Sequence, residues 1–171
     1  MSQGKFYEDY PFWIVIASSV LSILIYAIGG FIIYQLGLVW LIVYLLYILF
    51  LEMRLLKKSC VNCYYFGKTC AFGKGRLSCI FFRKGNAKDF ADGQVTWKDI
   101  IPDFMVSVIP MLVAVVLLIG NFRWLFLVLL IALFLLGFIG NGIVRSQLAC
   151  KYCKQREIGC PAEQLFNKTK K

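Results

Sequence analysis

Histidine is missing from this 171-residue chain, and acids are few: nine Asp and Glu against nineteen Lys and Arg, for a net charge of +10. Without imidazole there is no His-ligated haem, no mixed Cys/His zinc site and no histidine acid–base catalysis. The acids form no pair at the centre of an apolar run, so a proton relay through a membrane is not suggested. A signal peptide is also lacking. Met1 to Tyr10 has no basic leader, and the first apolar run is too long for a signal core and has no small-residue cleavage site after it. That run reads as a retained helix.

Apolar surface is what the chain has in excess. Its residues are 60% hydrophobic, whereas soluble domains hold about 45–50%. A membrane is therefore the expected solvent. In a soluble protein the basic excess would suggest nucleic acid. Here basic residues at the cytoplasmic ends of membrane helices account for it, and no nucleic-acid partner is expected.

Four apolar runs are visible, and the expected fold class is an all-α integral membrane protein with four transmembrane helices. The first spans about residues 12–34 and the second 38–56, joined by a tight turn at Gln35-Leu36-Gly37. The third spans 100–120, with Pro102 near its start and a kink expected at Pro110. The fourth spans 122–148 after a turn at Gly120-Asn121. Thr96 is placed to cap the third helix. Tyr7, Tyr10 and Trp13 suit the headgroup layer, and Glu52 and Arg54 suit snorkelling from the end of the second helix. Gly137, Gly140, Asn141 and Gly142 suit close packing against another helix, with Asn141 hydrogen-bonding across it. Tyr26, Tyr44 and Tyr47 read as packing residues with paired hydroxyls.

Seven cysteines punctuate the polar segments. Cys60, Cys63 and Cys70 are spaced C-x2-C-x6-C, and Cys150, Cys153 and Cys160 repeat that spacing ninety residues later. Cys79 is the seventh. The same offset relates Tyr7-Glu8-Asp9 to Trp97-Lys98-Asp99, Gly30 to Gly120 and Tyr34 to Trp124. A chance match of the cysteine triple alone is of order one per cent at ordinary cysteine frequencies. Two parallel-repeat helical hairpins are expected, related by a pseudo-twofold axis along the membrane normal. Repeat 1 covers 1–98, with its cysteine-rich segment at 57–98. Repeat 2 covers 99–171, with its cysteine-rich tail at 149–171. Residues 86–93 read as loop or short helix.

Basic residues cluster at one end of these hairpins: Lys5, ten from Arg54 to Lys98 and seven from Arg145 to Lys171. The two turns between helices carry Arg123 alone. Both termini and both cysteine segments are thus expected in the cytoplasm, at the plasma membrane if the cell is prokaryotic. That compartment disfavours stable disulfides.

Thiolates suit a soft metal ion, and C-x2-C lets two sulfurs grip one ion from a tight turn. The candidate ligands are Cys60, Cys63, Cys70, Cys79, Cys150, Cys153 and Cys160. One assignment completes a four-thiolate site from Cys60, Cys63, Cys70 and Cys79. Another joins Cys60 and Cys63 to Cys150 and Cys153 across the axis. Lys57, Lys58, Lys68, Lys74, Arg76, Lys151, Lys154 and Arg156 would offset thiolate charge and lower the thiol pKa. Zinc is the favoured cofactor, in a structural or interaction module of a membrane assembly. An iron–sulfur electron carrier is the alternative. Cys160-Pro161 resembles the Cys-Pro closing ferredoxin motifs, but the preceding spacing differs. A thiol–disulfide oxidoreductase working with a quinone is a further alternative. Expected partners are the bilayer with its anionic headgroups, and a membrane protein or second copy of the chain. Whether the chain is an enzyme is left open.

Overall fold

A computed structural model describes residues 6–86, 96–120 and 122–161. Helix dominates, and among the described residues strand-like pairing is limited to an isolated bridge between Tyr7 and Cys153. Four helices are long and apolar enough to cross a membrane: Phe12–Tyr34, Leu38–Cys60, Trp97–Gly120 and Trp124–Tyr152. The chain is accordingly an all-helical integral membrane protein.

The first span is α1 (Phe12–Tyr34) and the second is α2 (Leu38–Leu55), which runs on through a π-helical turn, Leu56–Cys60. Gly37 makes the reversal between them. Its φ of 121° is open to glycine alone at little cost, and its N–H closes the turn on the Tyr34 carbonyl at 2.9 Å. A short helix, α3 (Lys74–Phe81), lies between the second and third spans. The third span is α4 (Trp97–Gly120). The fourth begins as α5 (Trp124–Phe134) and continues through π-helical stretches Leu135–Gly140 and Val144–Ala149. A final turn, α6 (Gln155–Ile158), follows. The proposed loop or helix at 86–93 lies, from residue 87, outside the described residues, as do Asn121 and the tail from residue 162.

Thr96 opens α4 through its partner three residues on. The Asp99 carboxylate accepts both the Thr96 N–H, at 3.3 Å, and its hydroxyl, at 2.9 Å. This is the back-reaching half of a capping box.

Large apolar side chains such as Leu46, Phe50, Val116 and Ile119 face outward, as expected where the surroundings are acyl chains. The interior is confined to where the helices touch. One cluster joins Ile33, Tyr44, Ile48, Leu51 and Val106, and another joins Ile25, Ile32, Ala114 and Leu133. α1 is central, packing against α2, α4 and the fourth span.

Pro110 sets the tightest of these contacts. Its ring nitrogen has no hydrogen, so the Val106 carbonyl one turn earlier loses its helical partner. The Tyr44 hydroxyl donates to that carbonyl at 2.9 Å, across from α2. Gly29 of α1 makes the approach possible, because a Cβ there would collide with the Tyr44 hydroxyl and crowd Pro110. Tyr47 donates similarly to the Pro102 carbonyl at 2.8 Å, and Tyr26 to Glu52 at 2.8 Å. The three tyrosines are paired, as their sequence positions suggest.

Other expectations are revised. Glu52 and Arg54 do not snorkel. Glu52 turns to Tyr26 and Lys74, and Arg54 to Asp99 at 2.7 Å. A charge at this depth is costly unless paired, and both find partners inside the bundle. Gly137 meets Ser107 and Gly140 meets Leu21, but nothing approaches Gly142 within 4 Å. Asn141 accepts from Arg145 at 3.0 Å on its own helix instead of bridging to a neighbour.

Tyr44→Phe orphans the Val106 carbonyl and is expected to cost about 1–3 kcal/mol. Thermal unfolding in detergent checks this, with Tyr34→Phe, at an exposed position, shifting stability by less than about 0.5 kcal/mol. Gly29→Val is expected to cost more than Tyr44→Phe, since it drives α1 away from both neighbours.

Candidate thiol site at one end of the bundle

Both cysteine pairs start in the same way. The second span reaches Cys60 through the π-helical turn Leu56–Cys60, and the fourth reaches Cys150 through Val144–Ala149. In each C-x2-C the second cysteine N–H returns to the first cysteine carbonyl, at 3.3 Å for Cys63 and 3.4 Å for Cys153. Three residues further on, Phe66 N–H bonds the Cys63 carbonyl at 3.0 Å, and Arg156 N–H bonds the Cys153 carbonyl at 3.1 Å. Beyond that the paths part. The first segment makes a compact loop with left-handed glycines at 67 and 73 before α3, whereas the second forms α6 and turns at Gly159.

The two segments pack on one another. Gln155, 2% exposed, accepts the Tyr64 N–H at 2.7 Å and donates its amide to the Gly159 carbonyl at 2.9 Å. The Tyr65 hydroxyl accepts the Lys154 N–H at 3.0 Å and donates to the Tyr7 carbonyl at 2.6 Å. Tyr7 N–H bonds the Tyr152 carbonyl at 3.1 Å, and Tyr10 N–H bonds the Thr69 carbonyl at 3.0 Å. The Tyr10 hydroxyl donates to Ala149, and Asp9 accepts the Thr69 N–H at 2.8 Å. The N-terminal lead is thus a strap across both segments. Its core is Tyr10, Ile14, Tyr65, Ala71 and Ala149, with Cys63, Cys70 and Cys153 packed around it.

Tyr7 and Tyr10 therefore do not serve as headgroup anchors. Tyr10 is buried, and burial with the nearby Cys153 thiol pushes its hydroxyl pKa well up. Tyr65 is pushed to about 12, chiefly by burial. Trp13 alone of the three expected anchors is exposed. Gln155, Tyr64 and Tyr65 were not read as site residues. Their only advance signal was position, beside the second cysteine of each pair.

The structure leaves all seven cysteines as free thiols. Six of them form one electrostatically connected group. Cys63 feels Cys70 and Cys160, Cys153 feels Cys63 and Cys150, and Cys60 feels Cys70 and Cys63. Cys79 lies on the exposed side of α3, its thiol donating to the Arg76 carbonyl at 3.0 Å. Backbone N–H groups point at three sulfurs: Tyr65 and Tyr64 at Cys63, Gln155 and Arg156 at Cys153, and Gly75 at Cys70 (3.3 Å). Gly75 can come this close only without a side chain, since a Cβ would strike the Tyr65 and Lys68 carbonyls.

The basic residues do not lower these thiols as expected. Burial dominates and pushes Cys63 and Cys153 up to about 11 from 9.0, against the pull of the N–H donors. Several bases are engaged elsewhere. Lys154 pairs with Glu8 at 2.8 Å, holding that exposed carboxyl below its usual range, Lys74 pairs with Glu52 at 2.6 Å, and Lys58 with Asp99 at 3.2 Å. Lys68 bonds the Tyr64 hydroxyl at 3.1 Å.

Among the described residues no three Cys, Asp or Glu side chains are set together as a group that could hold a metal ion. The six thiols share one neighbourhood without converging on one point. No family model matches the chain, and no curated protein or solved structure is similar enough to match it.

Tyr65→Phe removes a buried hydroxyl that serves both the strap and the second segment, and is expected to cost about 1–3 kcal/mol. Limited proteolysis should then cut within residues 60–73 and near residue 153 faster than in the native protein. Alkylation of chelator-treated protein is expected to reach Cys79 and Cys150 first, because both are exposed. Cys63 and Cys153 hold their protons more tightly folded than unfolded, so their contribution to stability is full below about pH 9 and is lost as pH rises towards about 11. Their alkylation should accelerate about tenfold per pH unit over that range, read residue by residue by peptide mass mapping.

Proposed function

We propose that this chain is a membrane-embedded structural or interaction module whose two cysteine segments form one thiol cap that captures a soft metal ion, with zinc favoured. Two like helical hairpins, related by the ninety-residue repeat, would deliver the segments to the cytoplasmic edge of the bilayer. The ion would cross-link the hairpins where Tyr65 and Gln155 already join them.

The observation that carries this reading is the direct docking of the Cys60–Cys70 segment on the Cys150–Cys160 segment, with six thiols in one buried-edge group. The matched turns and the N–H groups aimed at Cys63 and Cys153 support it, since such donors favour a charged sulfur. Capture requires the thiols to rotate inward and lose their protons, because they do not converge as they stand. A ligand set drawn from Cys60, Cys63, Cys150 and Cys153 is favoured over one completed by Cys79, which points away on α3.

Elemental analysis and the visible spectrum of anaerobically purified protein test the proposal. The expected result is about one equivalent of zinc in a colourless sample, lost in both Cys63→Ser and Cys153→Ser. Loss in Cys63→Ser alone overturns the cross-segment ligand set. A brown sample containing iron and sulfide replaces zinc with the electron-transfer reading. Metal-free protein whose thiols all titrate as free overturns metal capture altogether.

A further inference from the structure

The four spans account for the apolar surface of the long helices but not for that of α3. On this eight-residue helix, Gly75 and Ser78 are buried, while Leu77, Ile80 and Phe81 are 44%, 74% and 59% exposed. At 100° per residue those three side chains occupy one contiguous arc of α3. Arg76 flanks the arc, and Arg83 and Lys84 follow the helix, both exposed. No acid occurs between residues 74 and 86.

Three contacts fix how deep α3 sits. The Ala71 carbonyl accepts from Ser18, two turns into the first span. Gly73 approaches the Val15 side chain closely, its ideal Cβ position lying 3.2 Å away. Lys74 reaches Glu52 of the second span at 2.6 Å. At 1.5 Å per residue, positions 15 to 18 lie roughly 5–9 Å along α1 from Phe12. That is the depth at which amphipathic helices lie in the headgroup and acyl boundary, about 5–10 Å in. Lys74 and Phe81 share a side of α3, so the side turned to the bundle's membrane portion is continuous with the apolar arc. A groove of about 360 Å³ between α3 and the start of α1 is lined by Tyr10, Phe12, Val15, Thr69, Gly73 and Arg76. Its apolar wall meets an exposed guanidinium.

We infer that α3 is an in-plane membrane helix that sinks Leu77, Ile80 and Phe81 into the acyl layer while Arg76, Arg83 and Lys84 hold anionic phospholipid headgroups. The occupant is the bilayer leaflet around the protein's own spans. It is selected by charge, since three bases with no opposing acid favour phosphate-rich, net-negative lipids over zwitterionic ones. This inference rests on the spans and the depth contacts, and is independent of any thiol chemistry.

The test uses the full chain in nanodiscs of phosphatidylcholine with phosphatidylglycerol. A photo-crosslinking residue, p-benzoylphenylalanine, replaces Phe81 (expected to leave the fold intact because Phe81 is exposed). Mass spectrometry is expected to find lipid adducts at position 81. Adducts to a second copy of the chain, or to no lipid, would overturn the proposal. In a second arm, lipid co-purifying from mixed membranes is counted for the native protein and for the triple variant Arg76→Gln, Arg83→Gln, Lys84→Gln. The preference for anionic over zwitterionic lipid should fall at least about tenfold in the variant. An unchanged preference, with thermal stability also unchanged, would overturn the headgroup assignment. Lys74→Gln serves as the control: it breaks the Glu52 pair without touching the three bases, and should leave lipid preference intact.

Discussion

Two buried polar side chains hold the ends of this molecule together. The Tyr65 hydroxyl and the Gln155 amide each bond in two directions, and between them they bind the first cysteine segment, the second and the N-terminal strap. The cap is too small to be stabilised by apolar burial alone, since its buried core is five residues. Its specificity rests instead on backbone groups that would be orphaned if the segments separated. Remove that pairing and the thiols become two loose tails on a helical bundle.

The same rule governs the bundle itself. Acyl chains offer no hydrogen bonds, so every polar group drawn inward must find its partner in protein. The Val106 carbonyl freed by Pro110 finds Tyr44, Glu52 finds Tyr26 and Lys74, and Arg54 finds Asp99. Lys74 belongs to the segment outside the spans. Cap and bundle are therefore one electrostatic unit, in which a rearrangement of the cysteine loop would leave a carboxylate unpaired at the edge of the hydrocarbon.

The spans were plain in the sequence because hydrophobic length is a one-dimensional property. Phe12–Tyr34 and the glycine turn at Gly37 appear as read, and the later helices run a few residues further than their apolar runs, since Trp97 and Tyr152 tolerate an interface. Cysteine positions were equally legible. What could not be read was which side chains turn inward. Tyr10 looks like an interfacial aromatic until Ala149 and Tyr65 close around it, and Gln155 looks like a solvated polar residue until the Tyr64 N–H meets it. Thiol acidity failed for a related reason. The many lysines suggested a positive field, but burial outweighs them at Cys63 and Cys153, and several of those lysines are committed to acids and a tyrosine.

The π-helical turns beneath Cys60 and Cys150 carry a consequence of their own. A π turn holds one residue more than an α turn before the chain comes around. Deleting a residue there would restore a regular helix and swing everything after it by about 100°. The bearing of each sulfur pair is thus stored as an integer, the number of residues in a single coil, and an insertion or deletion of one would turn one pair away from the other while leaving the membrane helices undisturbed.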